Sequence, residues 1–270
     1  ASAFTLGPVT LAGVAGDDLL YGSTGSDSLD GGDGADLFVA LAGDDTLSGG
    51  NGVDELQQTV NANQVLSDNL LTGDGNDVLS NVEQAVLTGG IGNNTLDASA
   101  FTLGPVTLVG LTGDDSLYGS TGGDSLDGGD GNDALSGQAG VDTLAGGNGT
   151  DELRQTVNAD QELTDNQVTG DGPDVLSSIE QAVLTGGNGD NTLDASGFTL
   201  GPVTLVGVTG DDSLYGSTGS DSLDGGDGDD LFVALAGNNT LSGGNGVDEL
   251  RQTVNADQIL TDNLLTGDGN

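Results

Sequence analysis

Large apolar residues stand at Leu20, Leu29, Phe38, Leu47 and Leu56, nine residues apart, and the positions between them are mostly small, polar or acidic. An amphipathic helix repeats its apolar positions every three to four residues and a half-buried strand every two, so neither accounts for the spacing. The period belongs to a unit. Gly16, Gly25, Gly34, Gly43 and Gly52 are each followed two residues on by Asp18, Asp27, Asp36, Asp45 or Asp54, and two further on by the apolar residue. A glycine-rich turn of about six residues and a strand of about three fill nine positions. Two units then close one coil, and coils stack as parallel strands. Leu20, Phe38 and Leu56 are expected on one wall and Leu29 and Leu47 on the facing wall. Aspartates 18 residues apart, such as Asp36 and Asp54, are expected in one row along the turns.

A longer period lies above the short one. "SAFTLGPVT" at residues 2–10 returns at 99–107 and, as "SGFTLGPVT", at 196–204, so Phe4, Phe101 and Phe198 are 97 residues apart. Tyr21, Tyr118 and Tyr215 share that offset, as do Glu83 and Glu180. The pattern predicts one continuous solenoid over residues 1–270, built of 97-residue repeats at 1–97, 98–194 and an incomplete 195–270. Beginning inside one copy and stopping at "TGDGN" without a polar cap, the chain reads as a segment of a longer array. Within the first copy, residues 16–56 are strict and 57–108 looser, with short apolar runs such as "VNANQVLSDNLLTG" between Gly, Asn and Asp. These runs predict strands in wider coils, and no helix.

Composition changes the picture by what it removes. Of 270 residues, 51 are glycine and four proline, which with the nine-residue register excludes collagen and simple linker sequence. There is no cysteine, so neither disulfides nor thiolate metal sites can stabilise the fold. Without His, Cys or Lys there is no Ser-His-Asp or Cys-His arrangement and no phosphate-binding lysine. Carboxylate pairs can hydrolyse glycosides, but here they recur identically in every copy, which suits scaffolding better than one active site. The chain is expected not to be an enzyme. No apolar run approaches the roughly 18 residues that span a bilayer, and no basic region with an apolar core marks the N-terminus.

Forty-four acidic residues against Arg154 and Arg251 leave a net charge of −42, which repels nucleic acid and anionic membranes. Burying one leucine contributes about 2 kcal/mol, while ordering nine residues costs about 1 kcal/mol or more each. The apolar positions alone therefore do not hold such a coil, and cations bound within the fold are required. Calcium suits a site of carboxylates and backbone carbonyls.

"GGDGADLF", "GGNGVDEL", "GGDGNDAL", "GGNGTDEL" and "GGDGDDLF" resemble the RTX, or haemolysin-type, calcium-binding nonapeptide. The resemblance implies an all-β fold, a right-handed parallel β-roll or β-solenoid running as a continuous rod without caps, with Ca2+ between adjacent turns. It implies metal ligands at Asp18, Asp27, Asp36, Asp45, Asp54, Asp115, Asp124, Asp133, Asp142, Asp151, Asp212, Asp221, Asp230 and Asp248. Asp77 and Asp174 fit the less regular turns "TGDGND" and "TGDGPD". Asn94, Asn191 and Asn239 stand where aspartate is expected, and a neutral amide weakens or abolishes a site. Ala40 and Leu41 replace both leading glycines before Asp45, which argues against an ion beside it.

The functional expectation is a calcium-stabilised structural shaft of an extracellular filament, surface layer or adhesin, secreted or at the cell surface. Its expected partners are further copies of itself or of the same repeat, with no nucleic acid and no membrane insertion. The alternative is a calcium-triggered secretion and folding module of an exported RTX enzyme or toxin. Glutamates such as Glu83 and Glu180 are expected to be solvated, and the arginines to form local salt bridges. An ice-binding ladder is disfavoured because Thr24, Thr121 and Thr218 recur only once per copy.

Overall fold

A computed structural model describes residues 7–252, together with the backbone of Ile259–Thr261 and Leu264–Thr266. Phe4 and the end of the third copy fall outside the described residues. The chain divides into two compact units, Ala1–Gly149 and Thr150–Asn270. All regular structure among the described residues is β, and no helix is long and apolar enough to cross a membrane.

In the first unit the strict nonapeptides form β1 (Thr10–Ala15), β2 (Leu19–Tyr21), β3 (Ser28–Asp33), β4 (Leu37–Val39), β5 (Thr46–Asn51) and β6 (Glu55–Thr59). Odd strands lie in one sheet and even strands in the other, so each nine-residue unit crosses from wall to wall. Pairing is parallel, with Leu29 opposite Leu47 on one wall and Leu20, Phe38 and Leu56 in line on the other, as the nine-residue period implies. All five are buried, because a strand points alternate side chains to one face and each of these residues stands at the position its strand turns inward.

The spacer departs from the expected parallel pattern. β7 (Gln64–Ser67), β8 (Leu70–Thr72) and β9 (Asn76–Ser80) form an antiparallel meander within one wall. Only Asp68 and Asn69 separate β7 from β8, a loop too short to carry the chain to the opposite wall, so it can only make a hairpin. β10 (Gln84–Thr88) then pairs with β6, β11 (Thr95–Ala100) with β7, and β12 (Val106–Thr112) with β10. Two inward glutamines brace this wider coil. Gln64 Nε2 donates to Thr88 O at 2.8 Å, and the buried Gln58 amide donates to the Asp74 carboxylate.

The spacer makes the number of wall-to-wall passes per copy odd. Thr10 therefore lies in one sheet, whereas Thr107, its equivalent 97 residues on, lies in the other. Beyond that point the nonapeptide stacking resumes, with Leu108, Leu126 and Leu144 in one line and Leu96, Leu117 and Leu135 in the other.

The second unit has the same construction. Leu184, Leu205, Leu223 and Leu241 are in register along one wall. Leu193, Leu214, Phe232 and Leu250 are in register along the other. Its spacer again folds into an antiparallel meander, Gln161–Thr164, Gln167–Val168 and Asp174–Ser177.

Candidate metal sites

At the turns, one carboxylate oxygen of each aspartate ties two coils together. The N–H of Asp18 donates to Asp36 Oδ1 at 2.8 Å, and that of Asp36 to Asp54 Oδ1 at 2.8 Å. The second oxygen has no such role. Oδ2 of Asp18, Asp36 and Asp54 is buried and accepts no hydrogen bond from the protein.

That oxygen faces a space left by a missing side chain. A Cβ added at Gly31 would run into Asp36 Oδ2 and lie 2.7 Å from Gly49 O, and one at Gly13 would meet Asp18 Oδ2 and Gly31 O at 2.6 Å. A carboxylate oxygen of one turn and a carbonyl oxygen of the next coil thus converge where only glycine leaves room. The partner glycine is needed for a different reason: Gly32 has φ 103°, and a Cβ there would lie 2.5 Å from Val14 O. The same cradle recurs at Gly110, with Asp115 Oδ2 and Gly128 O, and in the second unit at Gly207, with Asp212 Oδ2 and Gly225 O.

An ionised carboxylate oxygen buried without a donor is strongly destabilising, and these turns supply no N–H or O–H to satisfy it. Ca2+ fits the donor set: hard oxygens, one charged and the rest carbonyl, at successive coils. Bound there, it would cross-link adjacent turns and neutralise the stacked charge. Among the described residues no three acidic side chains gather around one point. Each cradle sets one carboxylate oxygen against a carbonyl oxygen of the next coil.

The expected ligands fall into several environments. Asp27, Asp45 and Asp77 form the row opposite Asp18, Asp36 and Asp54: Asp27 N–H donates to Asp45 Oδ1 at 2.8 Å and Asp45 N–H to Asp77 Oδ1 at 2.9 Å. Asp115 and Asp133 continue a row headed by Asn94, and Asp124 and Asp142 pair similarly. In the second unit Asn191, Asp212, Asp230 and Asp248 form one row. Asp221 N–H donates to Asn239 Oδ1, Asp151 N–H donates to Glu180 Oε2 at 3.0 Å, and Asp174 is buried.

Three of these aspartates accept from a serine of their own turn and from a backbone N–H one coil back, although Asp221 keeps a buried Oδ2 with no protein donor. Asp27 receives the N–H of Ser23 on Oδ2, the Ser23 hydroxyl at 2.9 Å on Oδ1, and Val9 N–H at 2.7 Å. Asp124 receives the Ser120 N–H at 2.5 Å, its hydroxyl at 2.9 Å and Val106 N–H at 2.8 Å. Asp221 receives the Ser217 hydroxyl at 2.7 Å and Val203 N–H at 2.9 Å. Asn94 and Asn191 close their own turns differently, their Oδ1 atoms accepting from Gly90 N and Gly187 N at 2.9 Å. Beside Asp45, where Ala40 replaces the glycine, Oδ2 is nonetheless buried without a protein donor.

Burial raises the carboxyls of Asp45 to about 6 and Asp77 to about 7, with neighbouring aspartates adding to the effect and accepted backbone N–H bonds opposing it. Burial likewise raises Asp54, Asp115, Asp124, Asp212 and Asp230. The arginines form exposed local pairs, Arg154 with Glu152 at 2.5 Å and Arg251 with Glu249 at 2.6 Å.

Sequence reasoning missed a second, exposed ladder. Asp17 Oδ1 accepts from Ala35 N at 3.0 Å, Asp44 Oδ1 from Asn76 N at 2.9 Å, and Asp114 Oδ1 from Asn132 N at 2.9 Å. These side chains reach forward one coil, whereas the buried aspartates reach back. Beside them Asn51 Nδ2 donates to Asp33 Oδ1 and Asn148 Nδ2 to Asp130 Oδ1, so "GGDG" followed by "GGNG" avoids stacking two carboxylates. The signal was present in that alternation.

The model of the RTX calcium-binding nonapeptide repeat matches residues 10–38, 30–56, 86–101, 107–135, 118–153, 183–198, 206–241 and 224–251, well over half of the chain. The chain belongs to the RTX repeat family. The matched stretches include the turns that carry the glycine cradles, and the unmatched stretches 57–85 and 154–182 take in the antiparallel meanders. No curated protein matches this RTX chain. Among solved structures it is similar to the crystal structure of extracellular lipase LipA from Serratia marcescens, at 20% identity and a TM-score of 0.28. The match covers 65% of this chain and 38% of that one, so the chain spans well under half of the lipase.

Proposed function

We propose that this RTX segment is a calcium-stabilised structural element of an extracellular filament, surface layer or adhesin, acting outside the cell beside further copies of the same repeat. The observation that carries the reading is the ladder itself. Buried Oδ2 atoms of Asp18, Asp36, Asp54, Asp115, Asp212 and Asp230 have no protein donor, and glycine carbonyls of neighbouring coils converge on the same cradles. Carboxylates that only coated a solvated surface would not be buried in this way.

The structural role follows from repetition. Among the described residues the inward strand positions are filled mainly by leucine, phenylalanine and small residues, and the same glycine cradle recurs from turn to turn. Calcium would switch such an element from a self-repelling polyanion to a folded solenoid, which suits a protein exported through a calcium-poor interior into calcium-rich surroundings.

Circular dichroism of the whole chain tests the calcium step. Millimolar calcium is expected to produce a β spectrum that excess chelator abolishes; a spectrum indifferent to chelator would sink the proposal. Electron microscopy with and without calcium tests the assembly step. Extended or laterally ordered particles only with calcium support it, whereas isolated monomers at all calcium levels favour a folding module of an exported protein.

A further inference from the structure

We infer that the spacer turn Asn81–Glu83, which itself lacks the nonapeptide motif, closes a calcium site on Asp54 of the preceding nonapeptide. The inference rests on the calcium-ladder reading and extends it into sequence that the family model leaves unmatched, between residues 56 and 86.

Register places the turn. Thr46, Leu47 and Ser48 pair with Val78, Leu79 and Ser80, which brings Asn81 to the level of Gly49. On the next wall Glu55 and Leu56 pair with Gln84 and Ala85, which brings Glu83 to the level of Asp54. Asn81 therefore takes the place of the leading glycine and Glu83 that of the ligand aspartate. The sequence "SNVEQ" contains neither paired glycines nor Gly-x-Asp.

The atoms match the ladder. Asp54 N–H donates to Glu83 Oε2 at 3.0 Å, the bond that Asp18 and Asp36 make to the next aspartate. A Cβ added at Gly49 would run into both Asp54 Oδ2 and Asn81 O, the same pair of oxygens, one carboxylate and one carbonyl, that bounds the cradle at Gly31. Asp54 is fully buried and its Oδ2 has no protein donor. Asn81 reaches this position with φ 48°, a left-handed conformation that asparagine tolerates without glycine.

The ion would be held by Asp54 Oδ2 and Asn81 O. Glu83 is a positioning residue: its longer side chain restores the bond across coils where the turn is shortened. The second unit repeats the device, since Asp151 N–H donates to Glu180 Oε2 at 3.0 Å and Ser178 has φ 53°.

Native mass spectrometry of the full chain in calcium, with the parent and the Glu83→Ala and Glu83→Gln variants, tests the assignment. Glu83→Ala is expected to bind one calcium fewer than the parent. Glu83→Gln keeps an oxygen that can accept the Asp54 N–H and is expected to restore the parent count. Equal counts for parent and Glu83→Ala, or loss in Glu83→Gln as well, overturn the inference. An anomalous-scattering map of the parent chain soaked with terbium decides independently of how the variants fold. Density touching Asp54 Oδ2 and Asn81 O supports the site, and its absence while the cradle at Gly31 is filled overturns it alone. A parent chain that binds no calcium overturns the ladder reading together with it.

Discussion

Asp36 Oδ2 and Gly49 O face the same glycine-shaped space from successive coils, while Asp36 Oδ1 holds the N–H of Asp18 at 2.8 Å. One carboxylate thus serves two purposes. Its first oxygen completes the backbone ladder, and its second is buried with no protein donor.

Filling that space should displace the ion. Gly31→Ala puts a methyl group against Asp36 Oδ2 and Gly49 O, and overpacking of this kind costs about 1–3 kcal/mol. We predict the loss of one bound calcium and a lower unfolding midpoint, measured by native mass spectrometry and calcium-dependent thermal melts. An unchanged ion count would show that the cradle is not the binding position.

Aspartates of identical spacing should respond differently. Asp36→Asn keeps an oxygen for the Asp18 N–H but removes the charge beside the cradle, so calcium affinity is expected to fall by tenfold or more, about 1.4 kcal/mol. Asp124→Asn acts where Ser120 and Val106 already donate to the carboxylate, and little change in calcium binding is expected. Isothermal titration calorimetry separates the two; equal losses would remove the distinction drawn from the serine donors.

The calcium-free chain should be stabilised by acid. Asp45 and Asp77 are raised from 3.8 to about 6 and about 7, so the folded state holds protons that the unfolded state releases. Their stabilising contribution is fully present below about pH 4 and is lost as pH rises through 6 to 7. We predict that in chelator the β signal in circular dichroism declines between pH 5 and pH 8, with ~2 pH units covering most of the change. A signal that grows with pH over this range would falsify the prediction.

Core truncation should report on stacking alone. Phe38→Ala removes a fully buried ring between Leu20 and Leu56 and is expected to cost about 3–5 kcal/mol in calcium-saturated protein. Val53→Ala, at a position 54% exposed, is expected to stay within about 0.5 kcal/mol. Chemical denaturation in saturating calcium compares them, and equal effects would contradict the wall assignment.

The nine-residue period made the walls legible because each turn repeats the one before it, so a local pattern predicts the neighbours as well as the strand. Leu20, Phe38 and Leu56 needed no information beyond their spacing. The spacer was less legible. Asp68 and Asn69 signal a turn, but whether it crosses to the other wall or reverses within one depends on loop length against coil width. Glu83 carried no motif, and its role emerged only when the meander brought Gln84 opposite Glu55. Ser23 and Ser120 stood beside their aspartates in the sequence, yet only the folded turn aims their hydroxyls at the carboxylates.

The nine-residue spacing alone sets the coil, the inward residues and the oxygen-rich turns, because these depend on residues within one unit and its immediate copies. Tertiary structure decided which carboxylate oxygens lack a donor and which wall each copy occupies. The first depends on N–H groups supplied from 18 to 32 residues away, such as Asp18 N on Asp36 Oδ1 and Asp45 N on Asp77 Oδ1, and the second on the odd number of passes that the spacer introduces.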